Sequence, residues 1–186
     1  DSENAKMTNT NKREAILDAA YTQFSRYGYR KTSMDDISRG MGISRASLYF
    51  YFENKDEIFR SLSLRLHEQS LEGARVHLSK ITDADQFAQC LYQALLARHV
   101  PFQETLAQSP HGAELYDEYS RLCGDIVVKN RQQFLGLLAK TLLAQASAGQ
   151  INLTANRISG VACAEILSMA SDGLKQDAAA SKVFRK

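Results

Sequence analysis

Residues 33–55 read SMDDISRGMGISRASLYFYFENK, a pattern of two short helices joined by a tight turn. Ile37, Met41, Ile43, Leu48 and Tyr51 fall where two steeply crossing helices need inward side chains. Small Ser38 sits where the helices approach, and Gly42 sits at the turn, where a left-handed backbone costs least without a Cβ. Ser33 is placed to cap the first helix, with Asp36 three residues on as a shorter version of the capping-box Glu. Ser44 is placed to cap the second.

The residues left facing outward on the second helix are Arg45, Ala46, Ser47, Tyr49 and Phe50. They combine a bidentate donor for guanine, a small residue that permits close approach, a hydroxyl, and aromatics able to meet thymine methyls, which is the equipment for reading base edges. Thr32, Ser33, Ser44, Tyr51 and Lys55 are the expected phosphate contacts. Lys55 opens the next helix beside Asp56 and Glu57, so an ammonium and a helix N-terminus would meet at one phosphate. The plainer alternative is a tight helical hairpin of the kind found in many all-α proteins.

Ile37-Ser-Arg-Gly-Met-Gly-Ile-Ser44, then Leu48-Tyr-Phe-Tyr-Phe52 and Lys55-Asp-Glu-Ile58, resembles the N-terminal signature of the TetR family of transcriptional regulators, close to IA-x-x-AGVS-x-x-x-LY-x-HF-x-x-K-x-x-L. The likeness runs over roughly residues 12–62. It departs from the signature at Ser38 and Met41, usually alanines, and at Tyr51, usually histidine. The resemblance implies an all-α protein, with a three-helix helix-turn-helix domain at the N-terminus and a helical effector-binding and dimerisation domain behind it, about nine helices in all. It also implies a ligand in the second domain that favours a protomer arrangement with misplaced reading heads.

Outward from that stretch, 186 residues with 44% hydrophobic content suffice for a DNA-binding domain and a second helical core. Residues 7–55 hold eight Lys and Arg against five Asp and Glu, an excess of three positive charges, whereas 56–186 are balanced. The excess lies where a phosphate-binding surface is expected. Residues 1–6, DSENAK, precede Met7 and read as a vector-derived remnant. No apolar run reaches the length that crosses a bilayer, and nothing resembles a secretory leader, so a cytoplasmic location is expected. Cys90, Cys123 and Cys163 are widely spaced in apolar helical contexts and read as small core residues, with redox sensing the alternative.

From Asn11 to Gly28, Ile16, Leu17, Ala20, Phe24 and Tyr27 recur at helical spacing, a first helix that buttresses the pair, followed by basic Arg30 and Lys31 in the connecting loop. Residues 56–80 read as one long helix, either a lever between the domains or a rigid strut. Further helices are expected at about 83–99, 101–108, 112–123, 125–148 and 154–176, the last capped by Thr154, with one helix continuous through Gly124 as the alternative for the third and fourth. The helices at 125–148 and 154–176 are apolar on more than one face, as a four-helix interface between the protomers of a homodimer requires, and a monomeric core is the alternative. Tyr92, His99, Phe102, Tyr116, Tyr119 and Cys123 combine apolar walls with polar tips and are the candidate effector pocket.

The sequence has no G-x-S-x-G, H-E-x-x-H or Gly-rich phosphate loop, and its histidines at 67, 77, 99 and 111 do not form a persuasive metal set. Neither catalysis, nor a cofactor, nor a metal is expected. The domains expected are 7–55, with the start of the helix at 56–80 as connector, and 56–186. The function expected is a ligand-responsive homodimeric repressor bound to a partly palindromic double-stranded operator. The alternative is a DNA-binding protein controlled by a protein partner.

Overall fold

The computed structural model describes the backbone of residues 2–153, 155 and 157–175, and the side chains of 9–99, 108–153, 155 and 157–172. Among these residues it is all-helical: α1 (Ser2–Tyr27), α2 (Met34–Met41), α3 (Arg45–Tyr51), α4 (Lys55–Leu78), α5 (Ala84–Gln108), α6 (Gly112–Leu122), α7 (Gly124–Ser147) and α8 (Gly160–Lys175).

Two compact units emerge, and each is discontinuous in sequence. The first comprises residues 1–66 with 102–126, and the second 67–101 with 127–186. Packing therefore does not divide the chain at 55/56. The first turns of α4 and all of α6 belong with the helix-turn-helix, because Ile58, Phe59, Leu62, Leu115, Cys123 and Ile126 share one core with Ile16, Leu17, Phe24, Ile37, Leu48 and Phe52. At its centre the rings of Phe24, Tyr29 and Phe59 meet within 5.6 Å of one another, with Phe59 edge-on to the other two.

The second unit buries Ala74 and Leu78 of α4, Ile81, Ala94, Phe134, Leu138 and Leu142 of α7, and Ala164 of α8. Gly160 begins α8 where a Cβ would lie 2.8 Å from Leu143 Cγ, so α7 and α8 approach closely there within the chain. Cys90 and Cys163 pack at the edge of this core and Cys123 is buried in the first, as small core residues do.

Four element boundaries differ from expectation, the first being α1, which begins at Ser2 and not at Asn11. The helices expected at 83–99 and 101–108 form one, α5, which runs through Pro101. A proline removes one backbone donor but need not end a helix whose other bonds persist. The break between α6 and α7 falls at Cys123, whose amide bonds Tyr119 O at 2.9 Å. The last helix starts at Gly160 instead of 154, since Ile158 N–H turns back to Leu153 O at 3.3 Å and Ser159 Oγ accepts from Ala162 N–H at 3.1 Å. Ser159 is thus its cap, and Thr154 lies outside the described residues.

Candidate nucleic-acid interface

The helix-turn-helix is fixed by its own caps. Ser33 Oγ accepts from Asp36 N–H at 3.2 Å and donates to the Asp36 carboxylate at 2.5 Å, while Ser33 N–H reaches the same carboxylate at 2.9 Å. These bonds and Arg39 hold the Asp36 carboxyl below its ordinary range. Gly42 ends α2 with φ 71°, and its amide returns to Arg39 O at 3.1 Å. Ser44 Oγ then accepts from Ser47 N–H at 3.1 Å and opens α3. Ile37 and Leu48 are fully buried between the helices, and Met41, Ile43 and Tyr51 pack at the edge of that core.

With Leu48 and Phe52 inward, α3 turns Arg45, Ala46, Tyr49 and Phe50 to solvent and leaves Ser47 half-buried. Phe50 is 77% exposed, its ring edge-on to that of Tyr51 at 5.2 Å. Arg45 is tethered by Nη2 to the Tyr49 hydroxyl at 3.4 Å and lies 3.6 Å from Asp35 across the turn. An open groove of about 460 Å³ runs beside it, lined by Arg30, Lys31, Ser33, Asp35, Arg45, Tyr49 and Lys55.

Two of the expected phosphate contacts are committed elsewhere. Thr32 is 2% exposed and donates its hydroxyl to Gly28 O at 2.7 Å, because the helix-ending carbonyl needs a donor there. It is not available to a phosphate. Lys55 Nζ donates to Tyr29 O at 2.8 Å and Thr32 O at 2.9 Å and lies 4.1 Å from the centre of the Tyr29 ring. Burial lowers its pKa, against the pull of Asp56, Glu118 and Glu114. Its first role is to hold the loop between α1 and α2, with one N–H left over. The N-terminus of α4 is likewise partly satisfied, since Asn54 Oδ1 accepts from Glu57 N–H at 2.8 Å and Glu57 reaches back to Glu53 N–H at 2.7 Å. Ser44 and Tyr51 remain at the surface of the motif, Ser33 with its hydroxyl engaged by Asp36.

Sequence reading missed three supports. Arg13 of α1 donates to Tyr51 O at 2.7 Å, to Ser61 Oγ at 3.2 Å and to Glu57 at 3.3 Å, and its guanidinium lies 4.0 Å from the centre of the Phe52 ring. It ties the end of α3 to α4. Its spacing from Ile16 and Leu17, three and four residues on, was the available signal. The other two, Glu114 and Glu118 of α6, reach Arg30 in the loop, at 2.6 Å to its N–H and 3.3 Å to its Nε. A partner this far along the chain leaves no trace in local pattern.

The candidate effector residues divide between the two units. Cys123 is fully buried in the first core, Tyr119 packs on that core, and Tyr116 is exposed. Tyr92 and His99 belong to the second unit, where His99 Nε2 lies 3.0 Å from Ser171 Oγ. The side chain of Phe102 lies outside the described residues. Helical spacing had marked faces that the two cores use separately.

Residues 16–62 match the model of the family described as bacterial regulatory proteins, tetR family. The chain is 48% identical over 48 residues to the biofilm operon icaADBC HTH-type negative transcriptional regulator IcaR of Staphylococcus epidermidis, an overlap of 26% of each chain. It is 29% identical over 112 residues to the probable acrEF/envCD operon repressor of Escherichia coli K12, covering 57% of this chain and 50% of that one. It thus spans between a quarter and a half of these relatives' lengths. In fold it resembles a TetR/AcrR-family transcriptional regulator from Thermobifida fusca, with a TM-score of 0.70, 15% identity, and coverage of 94% of this chain and 93% of that one. Residues 16–62 thus carry the sequence signature of the tetR family of bacterial regulatory proteins, and the helical fold around them resembles that of a TetR/AcrR-family regulator.

Proposed function

We propose that the protein is a sequence-specific DNA-binding transcriptional regulator, acting as a ligand-responsive homodimeric repressor. The observation that carries the reading is α3, anchored by Leu48 and Phe52, with Arg45, Ala46, Tyr49 and Phe50 exposed beside a basic groove. Arg45 exchanges Asp35 and Tyr49 for a base edge, with Ala46, Ser47, Tyr49 and Phe50 completing the readout. Ser33, Ser44, Tyr51 and the spare N–H of Lys55 take phosphates.

Twofold pairing is supported by Val128 and Leu143 of α7 and by Val161, Ile166 and Met169 of α8, all large, apolar and at least half exposed in the single chain. A partner's copy of the same helices would cover them, and the two α3 helices of the dimer would read half-sites about one DNA turn apart on a partly palindromic operator. Ligand control is supported by the polar groups that the second unit buries. His67, Arg98, His99, Ser168 and Ser171 lie in its interior, and Asn130, 4% exposed, has no partner for Oδ1 among the described residues. An interior acceptor of that kind favours a donor from outside the chain.

The test is selection of bound sequences from a random duplex pool at two salt concentrations. A partly palindromic consensus retained at the higher salt supports the reading. Binding without enrichment that vanishes steeply with salt would sink sequence-specific regulation.

A further inference from the structure

The loop at residues 28–32 has two differently occupied sides. On one side Arg30, Lys31 and Ser33 line the groove beside Arg45 and Tyr49. On the other, α6 grips the loop with two carboxylates. Glu114 accepts the Arg30 amide at 2.6 Å, and its carboxylate fills the space where a Cβ on Gly28 would stand. Glu118, only 6% exposed, sets Oε1 at 3.3 Å from Arg30 Nε.

The pairing is lopsided. The Arg30 side chain is 71% exposed, and among the described residues its Nη1 and Nη2 have no partner. Glu118 has a second cation: Oε2 accepts from Arg121 Nε at 2.7 Å, shorter than the 3.3 Å that separates it from Arg30. Without Arg30, Glu118 would therefore still be paired, which removes the usual penalty for stranding a buried charge. A guanidinium held loosely at one nitrogen, with its fork open towards a basic groove, is arranged to receive an anion.

We propose that Arg30 is a DNA phosphate contact and that Glu118 is the positioning residue that meters it. In the free protein Glu118 holds Nε and damps the positive charge. On DNA the Nη fork takes a backbone phosphate oxygen pair while Arg121 keeps Glu118 satisfied. The inference rests on the DNA-binding reading and adds to it a contact outside the recognition helix, together with a carboxylate that limits affinity.

The experiment compares the wild-type chain, Arg30→Gln, Glu118→Gln and the double variant by fluorescence anisotropy. The probe is a labelled mixed-sequence duplex in 50–200 mM salt, with circular dichroism as a check of folding. Removing one phosphate-bound cation should flatten the log–log salt slope by about 0.9, so Arg30→Gln should lose about 3.5-fold less affinity per protomer across this range than wild type. Glu118→Gln should tighten binding about threefold at low salt, as expected for removing a unit charge roughly 6 Å from a phosphate in a water-like medium. The double variant should show no such gain.

A wild-type slope in Arg30→Gln, or a gain from Glu118→Gln that survives in the double variant, overturns the proposal while leaving DNA binding intact. A wild type that binds no duplex overturns both. Should Glu118→Gln misfold, Arg30→Gln decides alone, because its exposed side chain has no place in the core.

Discussion

Arg13→Ala is the substitution from which most is expected, because one exposed-looking side chain closes the end of the recognition helix. Truncation removes a charge-assisted bond to Tyr51 O at 2.7 Å, bonds to Ser61 and Glu57 at 3.2 and 3.3 Å, and the stack on Phe52 at 4.0 Å. A hydrogen bond to a charged group is worth about 1.5–3 kcal/mol and an exposed cation–π contact about 0.5–1 kcal/mol. The Glu57 ion pair adds little, since both side chains are more than a third exposed. These contributions overlap and water can replace part of them, so a net destabilisation of about 2–3 kcal/mol is expected. Urea unfolding followed by circular dichroism measures it. Arg13→Lys should recover less than half, because an ammonium cannot bridge three acceptors and stack on a ring at once. In folded Arg13→Ala, DNA affinity should also drop, since the last turn of α3 is freed. A stability change below about 0.5 kcal/mol, or a lysine variant equal to wild type, would refute the reasoning.

Other substitutions test separate parts of the structure. Gly28→Ala puts a Cβ on a residue with φ +83°, into space already filled by the Glu114 carboxylate. The backbone alone should cost about 1–2 kcal/mol, read as a lower urea midpoint, and displacing Glu114 adds to it. The Asp125 pKa is lowered to about 2 by the hydrogen bonds from Arg60. A depressed folded pKa gives stability that is present above the unfolded value near 4 and lost as pH falls towards 2, so Asp125→Asn should flatten that stretch of the acid-unfolding curve. Met169→Glu, at a site 62% exposed in the single chain, should convert a dimer to monomer in sedimentation without lowering monomer stability. A variant that stays dimeric would remove α8 from the interface.

What was legible in the sequence was local chemistry. Ser33, Gly42 and Ser44 could be assigned because caps and turns are closed by partners three to five residues away, and the inward set from Ile37 to Tyr51 because helical repeat fixes which side chains share a face. Polarity in a loop was less informative. Thr32 looked phosphate-ready, yet the end of α1 claims its hydroxyl, and Lys55 is drawn to loop carbonyls that no spacing rule exposes.

The candidate effector residues show a related limit of local pattern. Periodicity says that Tyr119 and Cys123 lie on an apolar face, but not which core that face completes. Here it completes the core of the first unit, in which Leu115 of the same helix is buried with Ile126 and Phe59. That assignment changes where control is to be sought. The carboxylates of α6 act on the loop that lines the groove, through hydrogen bonds that join residues 84 and 88 apart in sequence. If Arg30 contacts phosphate as proposed, a change in α6 needs no relay through α3 to alter DNA affinity. It has only to shift Glu114 off Gly28 or Glu118 off Arg30, a movement of side chains within one compact unit.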